Sequence, residues 1–214
     1  MAGRVRVKIC GVTNVADALA AVELGADAVG LNFYPQSPRY LTPQKAGVII
    51  RQLPPFVEPV GVFAGTLAEI VAVARQVPGL RTVQRHSTAH EVGDSKGYRV
   101  IDAFQVPDRH SLSDLHDYLR RAEEVGRKPV AVLVDGCVPG QFGGTGKTAP
   151  WELFDGLNLG LPLILAGGLT PENVAEAVRI VRPYAVDVAS GVEASPGKKD
   201  IEKMRRFIEN ARSV

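Results

Sequence analysis

Two side chains in this sequence have the type and setting for proton transfer. Cys10 ends the run Val5-Arg6-Val7-Lys8-Ile9-Cys10, and Asp135 ends the run Val130-Ala131-Val132-Leu133-Val134-Asp135. In an extended chain successive side chains point to opposite faces. Val5, Val7 and Ile9 therefore share one apolar face, and Lys8 and Cys10 share the other. A thiol beside a lysine is a candidate acid or base, although a single cysteine also serves as a small buried hydrophobe. The same alternation sends Asp135 to the side opposite Val134. A carboxylate at the end of an apolar run is costly to bury without a partner or a task, and its alternative roles are a helix cap or a structural ion pair.

Glycines suggest where an anion could sit. Ala166-Gly167-Gly168-Leu169 and Ala189-Ser190-Gly191-Val192 each follow an apolar run, and bare backbone N–H groups at Gly167, Gly168, Ser190 and Gly191 could approach a phosphate. The loop Gly136 to Thr148 is rich in glycine and carries Cys137 and Gly144. It misses the P-loop spacing because Gln141 stands where that motif needs glycine. It reads instead as a lid whose amides, Gly144 among them, could close over a ligand. Arg39, in Asn32 to Tyr40, offers a fork suited to a substrate carboxylate. His86 and His90 stand four apart, but no carboxylate or cysteine cluster accompanies them and no metal site is expected.

The elements that must position these residues alternate. Short runs rich in Val, Ile and Ala span 4–11, 26–33, 56–65, 81–86, 98–106, 129–136, 161–168 and 185–191. Between most of them lie helical periodicities such as Val15, Leu19 and Val22, or Val174, Ala177 and Val181. Thr66 with Glu69 fits a capping box, and Thr42-Pro43 and Thr170-Pro171 fit helix starts. Apolar strands joined by helical crossovers imply a parallel sheet covered on both faces, and eight such units imply closure into a single (β/α)₈ TIM barrel. The fourth unit is the weakest, since 87–96 is short and polar. An open doubly wound sheet is the alternative, but Gly11-Val12-Thr13 is not its nucleotide-binding turn. Closure would make the first and eighth strands neighbours, so Lys8 and Asp187 should pair inside the barrel and place positive charge beneath Cys10.

The chain has 214 residues, 45% hydrophobic and 22% charged, with a net charge of +2 and two cysteines. That length suits one domain over 1–214, the charge forms no basic stripe calling for nucleic acid, and no apolar run could span a bilayer. Two free thiols and the lack of a secretory signal pattern lead to the expectation of a cytoplasmic protein. Oligomeric state is not legible.

Several motifs together resemble one family. They are Lys8-Ile9-Cys10-Gly11-Val12-Thr13, Phe33-Tyr34-Pro35 through Arg39-Tyr40, Val83-Gln84 with His86, Val134-Asp135, and Gly143 through Thr148. They continue with Leu165 through Val174, Asp187 through Glu193, and Pro196 through Asp200. In this order they resemble phosphoribosylanthranilate isomerase. The resemblance implies an Amadori rearrangement in tryptophan biosynthesis: N-(5-phosphoribosyl)anthranilate becomes 1-(2-carboxyphenylamino)-1-deoxyribulose 5-phosphate, with no metal or organic cofactor and a small phosphorylated molecule as substrate. It also implies Cys10 as general base, Asp135 as general acid, Arg39 near the anthranilate carboxylate, and Gly168, Ser190 and Gly191 at the phosphate. The sequence departs from the family at Arg85 and Ser87, where leucine and glycine flank the histidine, and at Cys137. Rival readings are a related phosphate-binding barrel isomerase and a non-catalytic barrel that binds phosphorylated metabolites.

Overall fold

In the computed structural model, residues 4–86, 92–135 and 151–214 are described. Among them, eight parallel strands close into a barrel: β1 (Arg6–Ile9), β2 (Ala28–Asn32), β3 (Glu58–Ala64), β4 (Thr82–His86), β5 (Arg99–Gln105), β6 (Ala131–Asp135), β7 (Leu163–Ala166) and β8 (Ala185–Val188). Each pairs with its sequence neighbour, and β1 pairs with β8 to complete the circle. The (β/α)₈ barrel expected from the alternation is the architecture observed.

Helices α1 (Val15–Glu23), α2 (Pro43–Ile50), α3 (Leu67–Ala74), α4 (Arg109–Glu124), α5 (Val174–Val181) and α6 (Ile201–Arg212) cover the outside. The start signals at Thr42 and Thr66 act as their chemistry requires. Thr42 accepts the N–H of Lys45, and Thr66 and Glu69 exchange hydrogen bonds in a capping box. The third start falls elsewhere, because α5 begins at Val174 rather than at Thr170-Pro171. Asn173 explains the delay: its side chain accepts from the Thr170 N–H and donates to the Gly168 carbonyl, which holds 170–173 as a turn before the helix proper. No α-helix is described between β4 and β5, and residues Trp151–Phe154 before β7 form a single 3₁₀ turn.

Strand alternation divides the core into two shells. Val7, Ile9, Leu31, Val132, Val134, Leu165 and Val186 point outward into one continuous apolar layer shared with the helices. Val60, Ile101, Ala103, Leu133, Ile164 and Ala185 fill the barrel interior. Most outward positions are β-branched or leucine, as packing between a pleated sheet and helices favours. Several interior positions are alanine, which leaves the axis room for polar side chains near the C-terminal mouth.

Arg85 is the exception in the outer shell. It occupies an apolar-facing position on β4 and is 1% exposed. Its Nε donates to Asp102 Oδ1 at 2.7 Å, Asp102 being its direct neighbour on β5. The hydroxyl of Tyr118, on α4, donates to the other Asp102 oxygen and accepts from Arg85 at 3.2 Å. The departure at Arg85 therefore comes with a carboxylate and a phenol that make its burial tolerable.

Candidate active site

The C-terminal mouth of the barrel gathers Cys10, Gly30, Gln84, His86, Asp135 and Asp187 from five strands or strand ends, as parity along each strand dictates. Cys10 lies one residue past β1 but continues its ladder, its N–H donating to the Val188 carbonyl at 2.8 Å. The side chain is 8% exposed, so its direction is fixed by packing on all sides but the mouth.

Directly below it, Lys8 Nζ donates to Asp187 Oδ1 at 2.8 Å, and the two residues are Cα partners across the β1–β8 seam. The ion pair expected from closure is present. Room for it comes from β2: a Cβ on Gly30 would lie 2.8 Å from Cys10 Sγ and 3.1 Å from Lys8 Nζ. Any larger residue at position 30 would displace one of the two.

The expected electrostatic consequence does not follow. Burial, and then the Asp187 carboxylate, push the Cys10 thiol up, and Lys8 and Lys199 only partly offset this. Positive charge beneath the thiol is largely spent on Asp187, so the resting form is the thiol. Lys8 itself is pushed down by burial but more strongly up by Asp187 and Cys10, and stands above its ordinary value.

Asp135 ends β6 on the inward side with Ala131 and Leu133, partly open to the mouth. Gln84, 1% exposed, approaches His86 Nε2 through its amide nitrogen at 2.8 Å.

Arg39 reaches the mouth from the loop after β2, but its fork is already engaged. Nε and Nη2 donate to Glu193 Oε1 and Oε2 at 2.7 and 2.6 Å, a bidentate pair along one edge of the guanidinium. The substrate-facing role expected for Arg39 is therefore confined to its other edge, where Nη1 makes no hydrogen bond to a described residue. The Arg39 side chain lies across Gly11, where a Cβ would stand 2.3 Å from Arg39 Cδ and where φ is +72°. Only glycine serves at position 11, both for its backbone and for this contact.

The anion side of the mouth is built from backbone. Gly167 and Gly168 take consecutive positive φ values of 90° and 65° after β7, and Ser190 and Gly191 open a three-residue 3₁₀ turn after β8. Their N–H groups donate to no described residue. The two turns touch, since a Cβ on Gly191 would lie 2.0 Å from the Leu169 carbonyl oxygen. Gly144 and Cys137, with the remainder of the loop, lie outside the described residues, as do Ser87 and His90.

Glu193 and Lys199 belong to a small antiparallel pair formed by β9 (Glu193–Ser195) and β10 (Lys198–Lys199), and no motif chemistry points to a role for either. Glu193 is 7% and Lys199 4% exposed. Their signal in the sequence is weak, because charged residues in a polar loop ordinarily face water.

A family model described as PRAI: N-(5′phosphoribosyl)anthranilate (PRA) isomerase matches residues 7–210. The chain is 46% identical over 212 residues to N-(5′-phosphoribosyl)anthranilate isomerase of Trichlorobacter lovleyi, covering 98% of this chain and 99% of the relative. It is likewise 46% identical to the Geobacter sulfurreducens protein of that name, over 97% of this chain and 98% of the relative. The crystal structure of phosphoribosyl anthranilate isomerase from Thermotoga maritima superposes with a TM-score of 0.84 at 42% identity, covering 98% of this chain and 100% of that one. A further structure of phosphoribosyl anthranilate isomerase, in complex with reduced 1-(o-carboxyphenylamino)-1-deoxyribulose 5-phosphate, has a TM-score of 0.79 at 39% identity and covers 98% and 100%.

Proposed function

This chain belongs to the N-(5′-phosphoribosyl)anthranilate isomerase family, and from that premise we propose that it carries out the family's rearrangement with Cys10 as general base and Asp135 as general acid. The protein is an isomerase of tryptophan biosynthesis, and its substrate is a small phosphorylated molecule. The observation that carries the assignment of roles is that these two titratable groups end β1 and β6 with inward parity at one barrel mouth.

The chemistry needs one proton delivered and one removed. Asp135 protonates the furanose ring oxygen, the C1′–O bond breaks, and the anilino nitrogen takes up the developing charge as an iminium ion. That ion acidifies the proton on C2′, which the Cys10 thiolate removes to give an enolamine. The enolamine then tautomerises to the ketone, and the protons balance over the cycle. The working form pairs an ionised thiol with a protonated carboxyl. Since burial and Asp187 favour the neutral thiol, this form is a minor one in the free protein.

Binding divides between the two ends of the substrate. The N–H groups of Gly167, Gly168, Ser190 and Gly191 would receive the phosphate, and the open edge of Arg39 the anthranilate carboxylate. Gly144, which lies outside the described residues, is proposed to contribute a further backbone N–H. No helix among the described residues is long and apolar enough to cross a membrane, and a cytoplasmic location is proposed for this biosynthetic step.

The test is a fluorescence assay in which purified protein consumes freshly generated phosphoribosylanthranilate. Turnover that falls sharply in Cys10→Ala and in Asp135→Asn supports the roles. Full turnover in either variant removes that residue from the mechanism.

A further inference from the structure

Arg39 sits in a cluster whose charge balance bears on its task. Glu193 takes the Nε–Nη2 edge of the guanidinium in a bidentate pair and so cancels its charge. A second carboxylate brought to the remaining edge would meet a neutral pair with a carboxylate already on it. Lys199 alters this. Its ammonium, fully enclosed, donates to Glu193 Oε1 at 3.0 Å and to the Ala189 carbonyl at 3.0 Å. Together the three groups carry one net positive charge, held away from water where it is weakly screened.

The contacts also join the two ends of the site. Ala189 precedes the Ser190–Gly191 turn, so Lys199 fixes that turn and the Arg39–Glu193 pair with the same ammonium. The peptide N–H of Gly197 adds a third donor to the Glu193 carboxylate at 3.3 Å. Arg39 in turn lies over Gly11, next to Cys10.

We propose that Lys199 is a positioning residue that sets specificity for a carboxylated aromatic substrate. It balances Glu193, so that Arg39 can hold one carboxylate on each edge. This rests on the reading of Arg39 as the site for the anthranilate carboxylate.

The test compares two ligands by calorimetry: reduced 1-(2-carboxyphenylamino)-1-deoxyribulose 5-phosphate and its counterpart lacking the carboxylate. The wild-type protein should prefer the first. Lys199→Met should lower that preference about tenfold, beyond any weakening that both ligands share through the turn after β8, and Lys199→Arg should keep it. A purely structural lysine would weaken both ligands alike. The double variant Lys199→Met with Glu193→Gln restores one net positive charge on the cluster, and so should regain the preference even if the single variant folds poorly. Loss of preference in that double variant, or undiminished preference in Lys199→Met, overturns the proposal. If Arg39→Met keeps the preference, the reading of Arg39 fails instead. If Arg39→Met abolishes it and Lys199→Met leaves it intact, only the role of Lys199 fails.

Discussion

Lys8 Nζ and Asp187 Oδ1 are 2.8 Å apart inside the barrel, immediately beneath Cys10, with both side chains under 10% exposed. The pair spans the seam where the last strand meets the first, so it couples closure of the barrel to the electrostatics of the proposed base. Asp187 raises the affinity of the thiol for its proton and Lys8 lowers it, with burial adding to Asp187.

The direction of those effects fixes a pH profile. With Asp135 required protonated and Cys10 ionised, activity turns down once Cys10 is fully ionised, because higher pH then only removes the acid's proton. For the wild type this alkaline limb of kcat/KM is expected above the ordinary thiol value of about 8.5. Asp187→Asn removes a charge that disfavours the thiolate and should move the limb to lower pH. Lys8→Met removes one that favours it and should move the limb higher. Rate profiles of the three proteins check this, and limbs that coincide would exclude Cys10 as the titrating group.

Loss of either proton-transfer group should be severe. Cys10→Ala is expected to lower kcat roughly a hundredfold or more, in line with removal of a general base, and Asp135→Asn at least as much because an amide cannot protonate the ring oxygen. Cys137→Ser should stay within a few-fold of wild type. Steady-state kinetics on the three variants decides between the thiols, and a dead Cys137→Ser with an active Cys10→Ala would reverse the assignment.

The anion turns can be tested by steric substitution. A Cβ on Gly191 would stand 2.0 Å from the Leu169 carbonyl oxygen, so Gly191→Ala must push the turn after β8 away from the turn after β7. If these two turns share the phosphate, KM should rise by about tenfold or more with a smaller change in kcat, as expected for lost binding common to ground and transition states. Isothermal titration with the reduced product analogue should show the same weakening. An unchanged KM would place the phosphate elsewhere.

The buried trio outside the barrel makes a stability prediction. Asp102→Ala leaves the enclosed Arg85 guanidinium without its carboxylate and should cost about 3–5 kcal/mol of unfolding free energy. Arg85→Leu with Asp102→Val should recover most of that loss, because two apolar side chains then face an apolar layer. Urea denaturation of the single and double variants gives the comparison. Full additivity of the two substitutions would show that the pair is not coupled.

Much of this protein follows from local pattern. Residues such as Val7, Lys8, Ile9 and Cys10 announce their faces because a strand repeats every two residues, and eight such runs separated by helical periods leave few arrangements other than a closed parallel barrel. Closure, once inferred, also makes Lys8 and Asp187 neighbours. What the linear order cannot contain is the sum of opposing influences at a point in space. The sign of the shift at Cys10 depends on how deeply the thiol is enclosed and on how much of the Lys8 charge Asp187 cancels, which are properties of distance and solvent access. The engagement of Arg39 by Glu193, 154 positions away, and of Glu193 by Lys199 likewise arises from the return of the β9–β10 loop over the first strand's end. Glu193 and Lys199 lie in strands of three and two residues, too short for a pattern to reveal where a side chain points. Periodicity determines which way a side chain faces, and only the closed structure determines what it faces.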